Sequence, residues 1–87
     1  MEREDKRWFV YQLRCKDDTL YCGITDDVQR RLEMHRSGKG AKYTRGRGPL
    51  ELIYTEELSS RSDALKREAF IKQLSRKEKL TLIKATK

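Results

Sequence analysis

The fold is decided by residues 7–25, which read RWFVYQLRCKDDTLYCGIT. The first nine of these residues alternate between two faces with the period of two that is typical of a β-strand. The next four supply turn residues, and the last six read as a second strand. Tyr11 and Tyr21 lie at similar distances from the turn, so we expect an antiparallel hairpin to bring them together. Gly23 has no side chain in mid-strand, which predicts a bulge or a close approach of another group.

A helix is expected directly after the hairpin. Thr25, Asp26 and Asp27 are possible N-caps, and Gln29 follows Asp26 at the spacing of a capping box. The helix is expected to run to about residue 36 and to end at Ser37.

One face of this helix carries both apolar and polar candidates for the interior. At 100° per residue, Val28 and Leu32 mark the buried face, and Arg31 and His35 lie within about 60° of Val28. Arg30 points away. A partly buried arginine needs an acidic partner or a bound anion, so Arg31 is the arginine that we expect beside the sheet.

A basic, glycine-rich segment follows, over residues 37–48. It contains four of the five glycines, four cationic residues and no acidic residue. The cations are Lys39, Lys42, Arg45 and Arg47. Such loops are often only flexible, but this charge pattern suits sequence-independent binding of phosphates. The spacing does not match a Walker phosphate-binding loop.

The rest of the chain predicts one more strand and two helices. In the strand, one face is expected to carry Leu50, Leu52 and Tyr54, and the other Ile53 and Thr55. Ser60 or Ser62 is expected to cap a helix, and Ser75 and Glu78 have capping-box spacing for a last helix. The predicted fold class is α+β, a three-stranded, mainly antiparallel sheet flanked by helices in the order β-β-α-β-α-α. The chain is expected to form a single domain over residues 1–87, with a core over about 8–82.

The composition indicates a folded domain with a basic surface. Charged residues make up 40% and hydrophobic residues 36%, and 21 Lys and Arg against 14 acids give a formal charge of +7. That charge favours a polyanionic partner, although a solubilising surface is the alternative. No apolar run approaches the ~18–20 residues of a spanning helix, and the charged residues 1–6 are not expected to form a signal peptide. We therefore expect a cytoplasmic protein with no membrane partner, in which Cys15 and Cys22 are reduced packing residues.

Glu68 is the residue whose position most needs an explanation. It falls between Ala64 and Ile71 on one side of a helical apolar stripe and Leu65 on the other. An unpaired carboxylate there is costly, which leaves two explanations open. One is an internal salt bridge, for example to Arg31. The other is a metal ion, and one carboxylate with waters and a substrate phosphate suits Mg²⁺ or Mn²⁺.

The order and spacing of these residues resemble the GIY-YIG nuclease domain, most closely its small stand-alone bacterial members. The two motifs that carry the resemblance read Phe9-Val10-Tyr11 and Tyr21-Cys22-Gly23. The resemblance implies the same α+β fold and one divalent metal ion, Mg²⁺ or Mn²⁺, held by a glutamate.

The resemblance also implies a role for each candidate catalytic residue. Tyr11 takes the proton from the attacking water, Tyr21 orients that water or binds the phosphate, and Arg31 holds the scissile phosphate. For His35 the helix face that it shares with Arg31 predicts a second phosphate contact or a group that orients a tyrosine. Tyr43 lies in the basic loop, where the family often has another His or Tyr. Glu68 is the expected metal ligand.

The sequence therefore predicts metal-dependent hydrolysis of phosphodiester bonds in nucleic acid, as an endonuclease that acts on DNA more readily than on RNA. Lys39, Lys42, Arg45 and Arg47 are the expected nucleic-acid-binding residues. A targeting protein partner is expected to direct so small a domain. The alternative is a non-catalytic DNA- or RNA-binding module that retains the fold.

Overall fold

The computed structural model describes residues 7–40, 44–46 and 48–85. The elements are, in chain order, β1 (Trp8–Arg14), β2 (Leu20–Thr25), α1 (Val28–Arg36), β3 (Glu51–Leu58), α2 (Arg61–Lys72) and α3 (Arg76–Ala85). The strands form one antiparallel sheet in the order β2-β1-β3. The predicted fold class and the order β-β-α-β-α-α are confirmed. None of the described helices combines the length and the apolar character that a membrane crossing requires.

The sheet separates two hydrophobic clusters, one on each face. Side chains of α1 pack on one face and side chains of α2 and α3 on the other, because successive residues of β1 point to opposite sides. The α1-side cluster contains Tyr11, Leu13, Cys15, Leu32 and Leu50. The α2-side cluster contains Val10, Cys22, Tyr54, Ala64, Ile71 and Ile83. Both cysteines are free and buried, as expected, and they belong to different clusters.

A β-bulge in β3 changes which of its residues share a face. Gln12 of β1 lies opposite Tyr54, whereas the next residue, Leu13, lies opposite Leu52. Ile53 is therefore an extra residue in the ladder, and an extra residue reverses the alternation beyond it. Leu52 packs on the α1 side and Tyr54 on the α2 side. The prediction that Leu50, Leu52 and Tyr54 share one face is wrong for this reason.

The N-cap of each helix is among the residues expected from the sequence, and only the predicted capping box at α1 differs. The hydroxyl of Ser60 accepts a bond from the third residue of α2, and Ser75 and Glu78 accept each other's backbone N–H at 3.1 and 2.8 Å. At α1 the N-cap is Asp27, whose carboxylate accepts the N–H of Arg30 at 3.0 Å. The predicted capping box of Asp26 and Gln29 is therefore wrong by one residue. The helix ends at Arg36, as predicted.

Candidate active site

The two motif tyrosines meet on the α1 face of the hairpin. Tyr11 lies opposite Gly23 and Tyr21 lies opposite Leu13, so the tyrosines are diagonal neighbours, with ring centroids 6.3 Å apart. A Cβ atom added at Gly23 would lie 2.6 Å from the hydroxyl oxygen of Tyr11. The ring of Tyr11 therefore crosses directly over Gly23, which explains the glycine in mid-strand.

His35 joins the two tyrosines from α1. Its Nε2 is 2.8 Å from the Tyr11 hydroxyl, and its ring centroid is 5.7 Å from that of Tyr11 and 5.3 Å from that of Tyr21. The imidazole is buried, at 2% exposure. Tyr11, Tyr21 and His35 thus form a compact group, here called the aromatic cluster.

The loop after α1 holds the other side of the imidazole. Nδ1 of His35 is 2.8 Å from the hydroxyl of Thr44, which is itself buried. A Cβ atom at Gly40 would lie 2.3 Å from Nδ1, so the backbone there packs against the ring. Thr44 was not expected from the sequence. A single threonine in a basic loop has no distinguishing pattern, and only its contact with His35 identifies it.

Burial changes the protonation of the aromatic cluster. It lowers the pKa of His35 below 6.5, and the charge of Arg31 lowers that pKa further. Burial also raises the pKa of Tyr11 to about 12, although Arg31 opposes this shift as a hydrogen-bond donor and as a charge. At neutral pH the cluster therefore contains a neutral imidazole and a protonated phenol, joined by a short hydrogen bond.

Arg31 lies on α1 with its side chain directed inward, in contrast to Arg30. The Nε of Arg31 is buried and has no hydrogen-bond partner among the described residues, and its Nη1 is 4.0 Å from the sulfur of Met34. The side chain of Arg30 is 62% exposed and pairs with Asp26 at 3.0 Å. The side chain of Arg31 therefore has a donor available for an anion beside the aromatic cluster.

Glu68 lies on α2, which packs on the opposite face of the sheet. Its carboxylate, on a side chain that is 18% exposed, pairs with Lys72 at 3.2 Å. A salt bridge to Arg31, which was one of the explanations left open by the sequence, is not formed, and the partner is Lys72. Burial and then the charge of Glu68 raise the pKa of Cys22 to about 11, which places the carboxylate near β2. Among the described residues, no contact joins Glu68 to the aromatic cluster.

Two further expectations concern metal ligands and the basic loop. The described part of the chain contains no group of three or more His, Cys, Asp or Glu residues that could hold a metal ion. Lys39 and Arg45 are exposed on the loop. The predicted residues Lys42, Tyr43 and Arg47 lie outside the described residues.

Comparison with known proteins identifies the family. A family profile described as the GIY-YIG catalytic domain matches residues 7–81. The UPF0213 protein OB0043 of Oceanobacillus iheyensis is 53% identical over 79 residues, which cover 91% of this chain and 92% of that protein.

Two solved structures are similar over nearly the same span. The solution NMR structure of the UPF0213 protein BH0048 from Bacillus halodurans has a TM-score of 0.60 and 48% identity, and covers 91% of this chain and 84% of its own. The solution NMR structure of the protein EF2693 from E. faecalis has a TM-score of 0.66 and 43% identity, and covers 93% of this chain and 86% of its own. With a family match over residues 7–81 and relatives of this similarity, the chain belongs to the GIY-YIG catalytic domain family.

Proposed function

We propose that this protein is an endonuclease that hydrolyses phosphodiester bonds in nucleic acid with the help of one divalent metal ion. Membership of the GIY-YIG catalytic domain family supports a nuclease-type role. DNA is the favoured polymer by that same resemblance, and the formal charge of +7 favours a polyanion. The single observation that carries the proposal is the buried hydrogen-bonded chain from Tyr11 through His35 to Thr44.

In the proposed reaction, Tyr11 and His35 act together to remove the proton of the attacking water. A phenol with a pKa of about 12 is almost never ionised at neutral pH, so Tyr11 alone is a poor base. A neutral His35, with its proton on Nδ1 and shared with Thr44, leaves Nε2 free to accept the Tyr11 proton. Tyr11 then accepts the proton of the water as it gives up its own. This transfer of two protons needs no free phenolate, and general-base catalysis of this kind contributes about 10²–10⁴-fold.

Arg31 and Tyr21 are assigned to the phosphate. The Nε of Arg31, which has no partner within the described part of the chain, fits a phosphate oxygen. A guanidinium at this point offsets the charge that develops in the five-coordinate transition state. The ring of Tyr21 packs against both other members of the aromatic cluster. Its hydroxyl is assigned to orient the water or to bind the phosphate.

Glu68 is assigned to the metal ion, Mg²⁺ or Mn²⁺. Its carboxylate fits such an ion, because it is a hard oxygen ligand with partial exposure and its partner Lys72 has a side chain that is 54% exposed. When bound, the ion supplies positive charge that stabilises the transition state. Glu68 approaches β2 from the face opposite the aromatic cluster, and β2 is an edge strand. The scissile phosphate is therefore assigned to this edge of the sheet, which borders both faces.

The basic loop is assigned to the nucleic-acid backbone. Lys39 and Arg45 are exposed beside the loop residues that contact His35, and Lys42 and Arg47 belong to the same charged segment. Contacts to phosphates bind every sequence about equally and fix the register of the substrate on the protein.

Incubation of the purified protein with supercoiled plasmid tests this function. We expect conversion to the nicked form with Mg²⁺ or Mn²⁺, no conversion with EDTA, and loss of conversion in the Arg31→Ala variant. Binding of DNA or RNA without metal-dependent cleavage of either polymer would contradict the proposal and identify a non-catalytic binding module.

A further inference from the structure

A cavity of about 380 Å³ lies behind the catalytic imidazole, between the end of α1 and the loop. Its walls include His35 and Arg36 from α1 and Thr44, Gly48, Pro49 and Leu50 from the loop, together with two more glycines. We call it the loop cavity. Its volume falls within the range of about 300–1,000 Å³ that is usual for small-molecule sites.

The walls of the loop cavity suit a flat heterocycle. Pro49 and Leu50 are apolar, and the glycines expose backbone without side chains. Polar groups are supplied by the Thr44 hydroxyl and by the guanidinium of Arg36, which lies 3.5 Å from the backbone oxygen of Leu50. Guanidinium planes stack on nucleic-acid bases. None of the described lining residues is acidic, so the cavity favours a ligand that carries a phosphate over a cationic one.

The loop cavity and the aromatic cluster share one residue. His35 contacts Tyr11 through Nε2 and Thr44 through Nδ1, and both His35 and Thr44 line the cavity. The imidazole ring of His35 therefore lies between the loop cavity and a phosphate that is held at the aromatic cluster. The base of an adjoining nucleotide is the part of the substrate that can reach it.

We propose that the loop cavity binds one unpaired nucleobase next to the scissile phosphate. This inference rests on the proposed function and extends it to the substrate, which must present an unpaired nucleotide at the cut. The base comes either from a single strand or from a duplex that releases it, and unstacking is least costly for a base that is already unpaired.

Gly48 offers a way to fill the cavity. A Cβ atom there meets no other atom within 4 Å, and the backbone has no positive φ. Gly38 and Gly46 are less suitable, because their φ values of +83° and +75° strain any other residue. Gly48→Leu should obstruct part of the cavity, while Gly48→Ala is the matched control that leaves most of it open. Arg36→Gln is a second variant, which removes the stacking guanidinium without any change at the glycine.

The test measures binding in EDTA, so that no substrate is cleaved. The probes are a fluorescein-labelled single-stranded DNA, the same strand with one abasic position moved stepwise along it, a fully paired duplex and a duplex with one mismatch. For the wild type we expect one abasic position to weaken binding about tenfold, as for the removal of one stacked base. In Gly48→Leu and Arg36→Gln that difference should shrink, whereas Gly48→Ala should keep it. Tighter binding of the single strand than of the paired duplex would indicate that the base comes from a single strand. Tighter binding of the mismatched duplex than of the paired one would indicate a base that is released from a duplex.

Equal binding of all abasic strands by the wild type, or an undiminished abasic effect in both Gly48→Leu and Arg36→Gln, would overturn the proposal. So would a wild type that binds none of the probes. Because these measurements need no cleavage, a base-dependent interaction in a protein that never cuts plasmid would contradict the nuclease function alone.

Discussion

At the scale of single residues, the main finding is how a small buried site changes the chemistry of Tyr11. Gly23 lets the ring cross β2, and His35 meets its hydroxyl at 2.8 Å. Burial then raises the pKa of Tyr11 to about 12 in spite of Arg31. Arg31 alone therefore does not make this tyrosine a base, and in the proposed reaction the hydrogen-bonded histidine accepts its proton.

The sequence could identify most members of this site but not the bonds among them. The spacing in the hairpin predicts that Tyr11 and Tyr21 are neighbours, and the 100° period places Arg31 and His35 on the inner face of α1. Neither pattern contains information on Thr44, because its role depends on how the loop returns over the imidazole. The hydrogen-bond partners of His35 could be found only in three dimensions.

The single histidine makes the pH dependence of stability a direct test of its burial. The pKa of His35 in the folded protein lies below its ordinary value of 6.5. Below that pH the unfolded chain binds a proton more readily than the folded one, so stability should fall as the pH is lowered through about 6.5. Thermal melts between about pH 8 and pH 5.5 should show this loss, and the His35→Gln variant should not. A wild-type melting temperature that rises on acidification in this range would contradict the burial of a neutral His35.

Adjacent arginines on α1 provide a matched pair for the phosphate contact. Arg31→Ala should lower the cleavage rate by about 10²–10³-fold, by analogy with the removal of one transition-state hydrogen-bond donor. Arg30→Ala removes the same charge from an exposed position and should cleave at nearly the wild-type rate. Equal losses in the two variants would mean that only the net charge matters.

At the scale of elements, what could be predicted depended on local signals. The Ser75–Glu78 capping box is complete within four residues, and its prediction is confirmed. The bulge at Ile53 depends on pairing with β1, which is distant in the sequence, so the alternation of β3 gave the wrong face for Tyr54. The position of Glu68 could not be predicted for a similar reason. The apolar stripe of α2 does not show which face of the sheet the helix covers.

The ion pair between Glu68 and Lys72 should contribute little to stability. It is an i,i+4 pair with one side chain 54% exposed, and such pairs contribute about 0.3–0.5 kcal/mol. Glu68→Gln should therefore leave the metal-free melting temperature nearly unchanged and abolish metal-dependent cleavage, while binding persists. Lys72→Gln removes the same ion pair and should keep cleavage. Cleavage that survives in Glu68→Gln would show that this residue does not hold the metal.

The basic loop should be visible in the salt dependence of binding. Replacement of Lys39 and Arg45 by alanine should weaken binding of all sequences alike. It should also reduce the salt slope by about 0.9 for each duplex phosphate that the protein no longer neutralises. Lys66 and Lys77 are exposed on α2 and α3, and their replacement removes the same charge elsewhere. If the control double variant on α2 and α3 has the same salt slope as the double variant in the loop, the loop is only a connector.

At the scale of the whole molecule, β1 is the element that joins the proposed chemistry to the core. It is the central strand, and its alternate residues belong to the two clusters. The aromatic cluster is part of the α1-side core, and Glu68 belongs to the helix that covers the other side. The proposed reaction therefore needs groups from both faces of the sheet to act together at the edge beside β2.

Among the described residues, two buried tyrosines on opposite faces of the sheet provide the most direct test of the proposed mechanism. Tyr11 and Tyr54 are 2% and 5% exposed, and each hydroxyl has a side-chain hydrogen bond, to His35 and to Glu56 respectively. Single-turnover cleavage of a labelled DNA with saturating Mg²⁺ should be about 10²–10⁴-fold slower for Tyr11→Phe than for the wild type, and nearly unchanged for Tyr54→Phe. Cleavage by a folded Tyr11→Phe protein at the wild-type rate would contradict the central claim.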